Sequence, residues 1–191
     1  MASKGGPRAM GSDGNDFRHR QQIAAHYQES VQYKNYLKWL AVPHLLVSLF
    51  LWTKVGGEIL RRSFETKIAF LERIDLPSAY PWEYVWCLSF FVCFLAFMAF
   101  PKNNLKYINY FYYGHFLMGI VPCMMGLGGQ LPELFDYIFN SDSQTPTFKG
   151  TFPMVIIWYI FFLIALQIHV GAMYCASILA RAWSPIRPHS D

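Results

Sequence analysis

Three histidines, His44, His115 and His169, lie inside long stretches otherwise free of Asp, Glu, Lys and Arg. Ionisable side chains embedded in apolar sequence are the first places to look for chemistry in a membrane-embedded chain. Counting from the run ends places each about 6–8 residues in, a shared layer roughly 9–12 Å deep at helical rise. Imidazoles at one depth can ligate haem or a metal, or relay protons. No carboxylate falls at that depth to orient a metal-bound imidazole through its second nitrogen, and nearby Ser and Tyr hydroxyls can satisfy the rings locally. The expectation is therefore structural polar contact, with no catalytic, cofactor-binding or metal-binding residue assigned. Ala165, His169, Ala172 and Ala176 share one helical face, a small-residue packing seam carrying a single polar group.

Other catalytic spacings are absent from the sequence. It contains no Gly-rich phosphate loop, no H-x-x-x-H or C-x-x-C metal spacing and no G-x-S-x-G elbow. Gly128-Gly129 reads as a helix terminator, and Pro43 and Pro122 as kinks. No internal repeat suggests the paired broken helices of a transporter. An enzyme is not expected.

The elements that would position the histidines follow from composition. Of 191 residues, 54% are hydrophobic and 15% charged, against about 25% charged in an ordinary soluble domain. Mean hydropathy is +0.21. Four uncharged runs stand out: between Lys38 and Lys54, Tyr84 to Pro101, Tyr107 to Pro132, and Gly150 to Ala180. A span needs about 20 apolar residues to cross roughly 30 Å of hydrocarbon. The last two runs exceed this, the second is near the limit, and the first reaches it if Lys38 and Lys54 snorkel outward. Trp39, Trp52, Trp82, Tyr84 and the Tyr107–Tyr113 cluster sit near run ends, where interfacial rings belong.

The expected fold is an all-α membrane protein. Four transmembrane helices form a bundle, with short amphipathic helices at the N-terminus and in the first non-cytosolic loop. Residues 1–37 form a cytosolic segment, disordered over 1–15 and an amphipathic helix over 16–37. Residues 38–180 hold spans near 38–55, 82–101, 107–131 and 152–178, and residues 181–191 form a cytosolic tail. Ten of the 16 basic residues fall on the side shared by both termini, which the positive-inside rule places in the cytosol. No removable signal peptide is expected, because apolar sequence starts only near residue 39.

Cys87, Cys93, Cys123 and Cys175 lie in or beside spans and read as small core residues, Cys175 being a weak palmitoylation candidate. The Asp16–Lys34 stretch combines Ile23, Tyr27 and Val31 with Arg18, Arg20 and Lys34, suiting a basic helix laid on anionic lipid. Leu60, Phe64, Ile68 and Leu71 form a second apolar stripe, with Arg61 and Glu65 as an ion pair. The stretch from Glu133 to Thr147 is acidic and turn-rich with no recognisable site.

The opening Met1-Ala2-Ser3, Gly6-Pro7-Arg8-Ala9 and Asp16-Phe17, with His26-Tyr27-Gln28, Pro81-Trp82-Glu83-Tyr84, Phe100-Pro101-Lys102-Asn103-Asn104 and Leu166-Gln167-Ile168-His169, resembles the Jagunal family. The resemblance extends to about Trp183. It implies a four-span, non-enzymatic endoplasmic reticulum membrane protein that supports reticulum organisation, vesicle-mediated transport and exocytosis in the early secretory pathway. Expected partners are the lipid bilayer and secretory-pathway trafficking machinery. Vesicle coat components are disfavoured, because Arg187-Pro188-His189-Ser190-Asp191 lacks a dilysine motif. Nucleic acid is not expected, and a homo-oligomer is left open. The competing class is a small intramembrane transporter, channel or His-ligated cofactor protein. A permeation path needs a polar face continuous across the bilayer, and the spans carry only scattered Ser, His and Gln167.

Overall fold

The computed structural model describes residues 15–64, 77–140, 145–148 and 151–184, with the side chains of 15–24, 26 and 64 outside the description. Of the expected disorder over 1–15, residues 1–14 fall outside the description while Asn15 begins a helix, and the Arg18, Arg20 and Ile23 face, the Ile68–Leu71 stripe and the extreme tail also fall outside it.

The chain is predominantly helical. Helix α1 runs from Asn15 to Phe64, 50 residues with Pro43 in its interior. The sequence suggests a separate amphipathic helix over 16–37 leading into a first span. These are instead one helix, because no glycine or second proline interrupts residues 32–55 and packing against the other helices holds the Pro43 region in register. The first part of the expected Leu60–Leu71 helix is simply the end of α1.

The second apolar run is split. Helix α2 (Pro81–Cys87) and helix α3 (Ser89–Ala99) meet at Leu88, whose N–H bonds the Val85 carbonyl at 3.1 Å instead of continuing the regular ladder. The break leaves the Cys87 carbonyl able to accept from the Trp52 indole on α1 at 3.1 Å. A polar backbone group is thus satisfied in apolar surroundings. A turn follows, in which Asn103 has φ 49°, a left-handed conformation that asparagine tolerates. Asn104 then caps helix α4 (Leu105–His115), its side chain accepting from the Lys106 and Tyr107 N–H groups.

A π-helical segment, Phe116–Ile120, joins α4 to helix α5 (Val121–Gly129), with Pro122 in the first turn of α5. The missing proline N–H and the bulk of its ring disturb the preceding turn. The sequence suggests a kink at Pro122, and the disturbance takes the form of this widened turn. Helix α6 (Leu131–Phe139) is short and exposed. Thr147–Phe148 and Phe152–Pro153 pair as a two-residue antiparallel hairpin, β1 and β2, a departure from the all-α expectation. Helix α7 (Met154–Trp183) is the last described element.

Among the described residues, three helical stretches are long and apolar enough to cross a membrane: Tyr27–Ser63, Pro81–Ala99 and Met154–Trp183. The third apolar run is helical throughout, but its three consecutive segments are individually short. Apolar side chains make up both the core and much of the outer surface. Phe50, Trp39 and Leu163 point outward, while His44, Ser48, Ser89, His115 and His169 are almost completely enclosed. Such a surface suits hydrocarbon surroundings.

The core has two apolar clusters. One gathers Leu37, Ala96, Phe111, Ala172, Cys175 and Leu179 near the expected cytosolic ends. The other gathers Leu51, Trp82, Trp86, Cys123, Trp158 and Phe162 toward the opposite ends. On α1 and α7 the histidine lies between residues of the two clusters, and His115 ends α4 just beyond Phe111 of the first.

Candidate functional site

The layer between the two apolar clusters is built by four helices. Helix α1 contributes His44, α3 contributes Ser89 and Cys93, α4 contributes His115 and α7 contributes His169. The ring centroids of the three histidines form a triangle with sides of 5.0, 5.2 and 5.5 Å. The common depth read from the sequence therefore corresponds to a shared cluster.

Two subsites differ in how completely they are satisfied. His44 contacts the Cys93 thiol through Nδ1 at 3.1 Å and the Ser89 hydroxyl through Nε2 at 3.1 Å. His115 and His169 face each other through Nδ1 atoms 2.8 Å apart. A hydrogen bond between two Nδ1 atoms requires one to carry the proton and the other a lone pair. Neither Nε2 has a hydrogen-bond partner among the described residues. The π-helical segment brings Gly119 against this pair: a Cβ there would overlap the His169 imidazole. Among the described residues, no group of three or more His, Cys, Asp or Glu side chains is arranged to hold a metal ion. The geometry supplies directional hydrogen bonds between helices at a level where lipid offers none.

Sequence reasoning reached the three histidines but not Ser89 and Cys93. Their spacing of four puts them on one helix face, a signal present in the sequence. Which neighbour that face meets depends on the tertiary register.

Both ends of the bundle carry polar fastenings. At the expected cytosolic end, the Lys34 ammonium donates to the Phe100 carbonyl at 2.9 Å and to Asn103 Oδ1 at 2.5 Å. It also lies 5.3 Å from the Trp183 ring centroid, and the Trp183 indole donates to the Ser30 hydroxyl at 2.8 Å. Lys34 therefore ties α1 to the α3–α4 turn, which corrects the expectation that it faces lipid headgroups.

At the opposite end, the sequence suggests that Lys54 snorkels outward. It instead turns inward to an ion pair with Glu83 at 2.7 Å, with side-chain exposures of 6% and 0%. Its ammonium lies 4.3 Å from the Trp158 ring centroid and 5.6 Å from that of Tyr80. A counter-charge 29 residues away removes the reason to reach for water. One turn on, Glu58 accepts from the Ala79 N–H at 2.9 Å and pairs with Arg62 at 2.6 Å and Arg61 at 3.5 Å. The expected partner of Arg61, Glu65, lies outside the described residues.

A profile of the Jagunal family, described as "Jagunal, ER re-organisation during oogenesis", matches residues 1–187. The chain belongs to the Jagunal family. Similarity to individual members is correspondingly long. "Protein jagunal homolog" of Caenorhabditis briggsae is 60% identical over 188 residues, covering 98% of this chain and 99% of that protein. "Protein jagunal homolog 1" of Homo sapiens is 32% identical over 183 residues, covering 96% and 94%. "Protein jagunal" of Drosophila melanogaster is 29% identical over 189 residues, covering 96% and 95%. The Jagunal name denotes no enzyme, and no catalytic activity is indicated by these matches.

Proposed function

We propose that this Jagunal protein is a non-enzymatic component of the endoplasmic reticulum membrane that supports reticulum organisation and vesicle-mediated transport in the early secretory pathway. Family membership over nearly the whole chain carries this reading, because the family is described by reticulum re-organisation. Secretory-pathway trafficking machinery is the proposed partner class, with a homo-oligomer compatible with the same role. In cells depleted of the endogenous protein, re-expression of this chain should restore reticulum morphology and delivery of a secreted reporter. Normal morphology and secretion in the depleted cells would reject the role.

The proposed topology has four crossings with both termini cytosolic. Its support is the ten basic residues on the terminal side and the uninterrupted helical run from 105 to 129, about 37 Å long at helical rise. Tags at either end should be digested by protease added to sealed microsomes. A protected N-terminal tag would reject this orientation.

A further inference from the structure

Helix α6 follows the third apolar run after a single intervening residue, Gln130. Leu131, Leu134, Phe135, Ile138 and Phe139 recur at i, i+3, i+4, i+7 and i+8, while Glu133, Asp136 and Asn140 occupy the opposite side. From Leu105 to Phe139 the helical segments would measure about 50 Å end to end, against roughly 30 Å of hydrocarbon. α6 therefore begins where the third crossing is already complete, on the non-cytosolic side of the proposed topology.

The two acids mark this stretch as polar in the sequence, yet its apolar side is the more exposed one. Phe135, Ile138 and Phe139 are 50%, 57% and 76% exposed, whereas Glu133 and Asp136 are half-buried. One Glu133 carboxylate oxygen is enclosed, and Asp136 accepts from the Asn140 side-chain amide. The Phe135 and Phe139 rings stack with centroids 6.0 Å apart, forming one apolar plate that faces away from the bundle.

Size and charge say what meets this face. A nine-residue helix is about 14 Å long, and half its circumference offers on the order of 300 Å². Each partner in a standard protein interface gives about 800 Å², so the plate is too small to hold a second copy or a globular partner. A lipid surface asks for less, because the third crossing already tethers α6 at the boundary. The described charges at this end, Lys54, Arg61 and Arg62 against Glu58, Glu83, Glu133 and Asp136, leave a surplus of one negative charge. Residues 131–140 contain no Lys or Arg. Attachment by burial of the apolar face, rather than by attraction to anionic lipid, suits that balance.

We propose that the apolar face of α6 is immersed in the headgroup–acyl boundary of the non-cytosolic leaflet, among zwitterionic phospholipids. The proposal rests on the membrane-spanning part of the proposed function and adds a shallow, one-leaflet attachment to it.

Spin labels on the full chain, reconstituted in phosphatidylcholine vesicles at high lipid-to-protein ratio, test it. Labels are introduced singly by Ile138→Cys, Phe139→Cys and Asn140→Cys. The native Cys87, Cys93, Cys123 and Cys175 are buried, and the parent chain treated with label sets the background. Collision with oxygen, which concentrates in lipid, is compared with collision with a water-soluble nickel chelate. The expected result is an oxygen excess at positions 138 and 139 and a nickel excess at 140. Unchanged thermal unfolding shows that each variant folds. Equal ratios at all three positions, whichever reagent prevails, would overturn the proposal. Spin–spin broadening at 138 or 139 that vanishes on dilution with unlabelled chain would assign the face to a second copy and overturn it equally. Leu163→Cys, at an outward position in the middle of α7, separates the two levels. A nickel excess there defeats the membrane reading as well, whereas an oxygen excess there with a nickel excess at 138 and 139 defeats only the α6 proposal.

Discussion

Glu83→Ala in the full chain should lower the unfolding free energy by about 3–5 kcal/mol, the cost of stranding one member of a buried ion pair. Lys54 keeps its charge but loses its 2.7 Å partner, at a site where both side chains are almost wholly enclosed. The same carboxylate also accepts from the Tyr80 N–H at 3.3 Å, at the start of α2, so the helix entry loosens together with the pair. The double variant Lys54→Met with Glu83→Leu should recover most of the loss, because similarly sized apolar side chains remove both desolvation costs. Denaturant titration in detergent checks both, with the buried indoles of Trp82, Trp86 and Trp158 as fluorescence reporters. A single variant as stable as the parent would show that Lys54 reaches water on its own, the snorkelling geometry suggested by its position at the run end.

The second large effect is expected at Gly119. Gly119→Ala places a methyl group where the His169 ring lies, and His169 is fully buried. Overpacking of this kind costs about 1–3 kcal/mol. Displacing the ring also breaks the His115–His169 hydrogen bond. His169→Ala is expected to be destabilising alone, because it leaves His115 with no partner on either nitrogen. Combined with Gly119→Ala it should cost less than the sum of the two, since the methyl group then occupies vacated space. A double-mutant cycle on thermal unfolding reads this coupling. Strict additivity would place the two residues out of contact.

The apolar runs were legible as helices because run length and hydropathy are local properties. Their interruptions were less so. Leu88 breaks the second run with no glycine or proline beside it, and the neighbouring Cys87 carbonyl is met by Trp52, 35 residues earlier in the chain. Pro122 announced a disturbance, but a widened turn and a simple kink carry the same local signal. The joining of residues 16–37 to the first span was hidden by a change in composition that leaves the helical backbone intact.

The site was legible in its depth and not in its pairings. Counting residues from the run ends placed His44, His115 and His169 at one level. Whether His44 meets Ser89 and Cys93 or the other two rings depends on rotations about helix axes that no spacing encodes. Lys34 and Lys54 were misread for one reason. Each has its counterpart on another element, Asn103 and Glu83, so neither needs the lipid surface that a lysine at a span end ordinarily seeks.

The continuity of α1 has a mechanical side. Fifty helical residues extend about 75 Å, against roughly 30 Å of hydrocarbon. The helix is fastened by Lys34 at one level and Lys54 at another, some 30 Å apart along the same rod. A torque applied at its N-terminal end is carried to both fastenings, past Pro43, by one continuous helical backbone. In that sense α1 is a spar, a single member that joins the Lys34 level of the bundle to the Lys54 level.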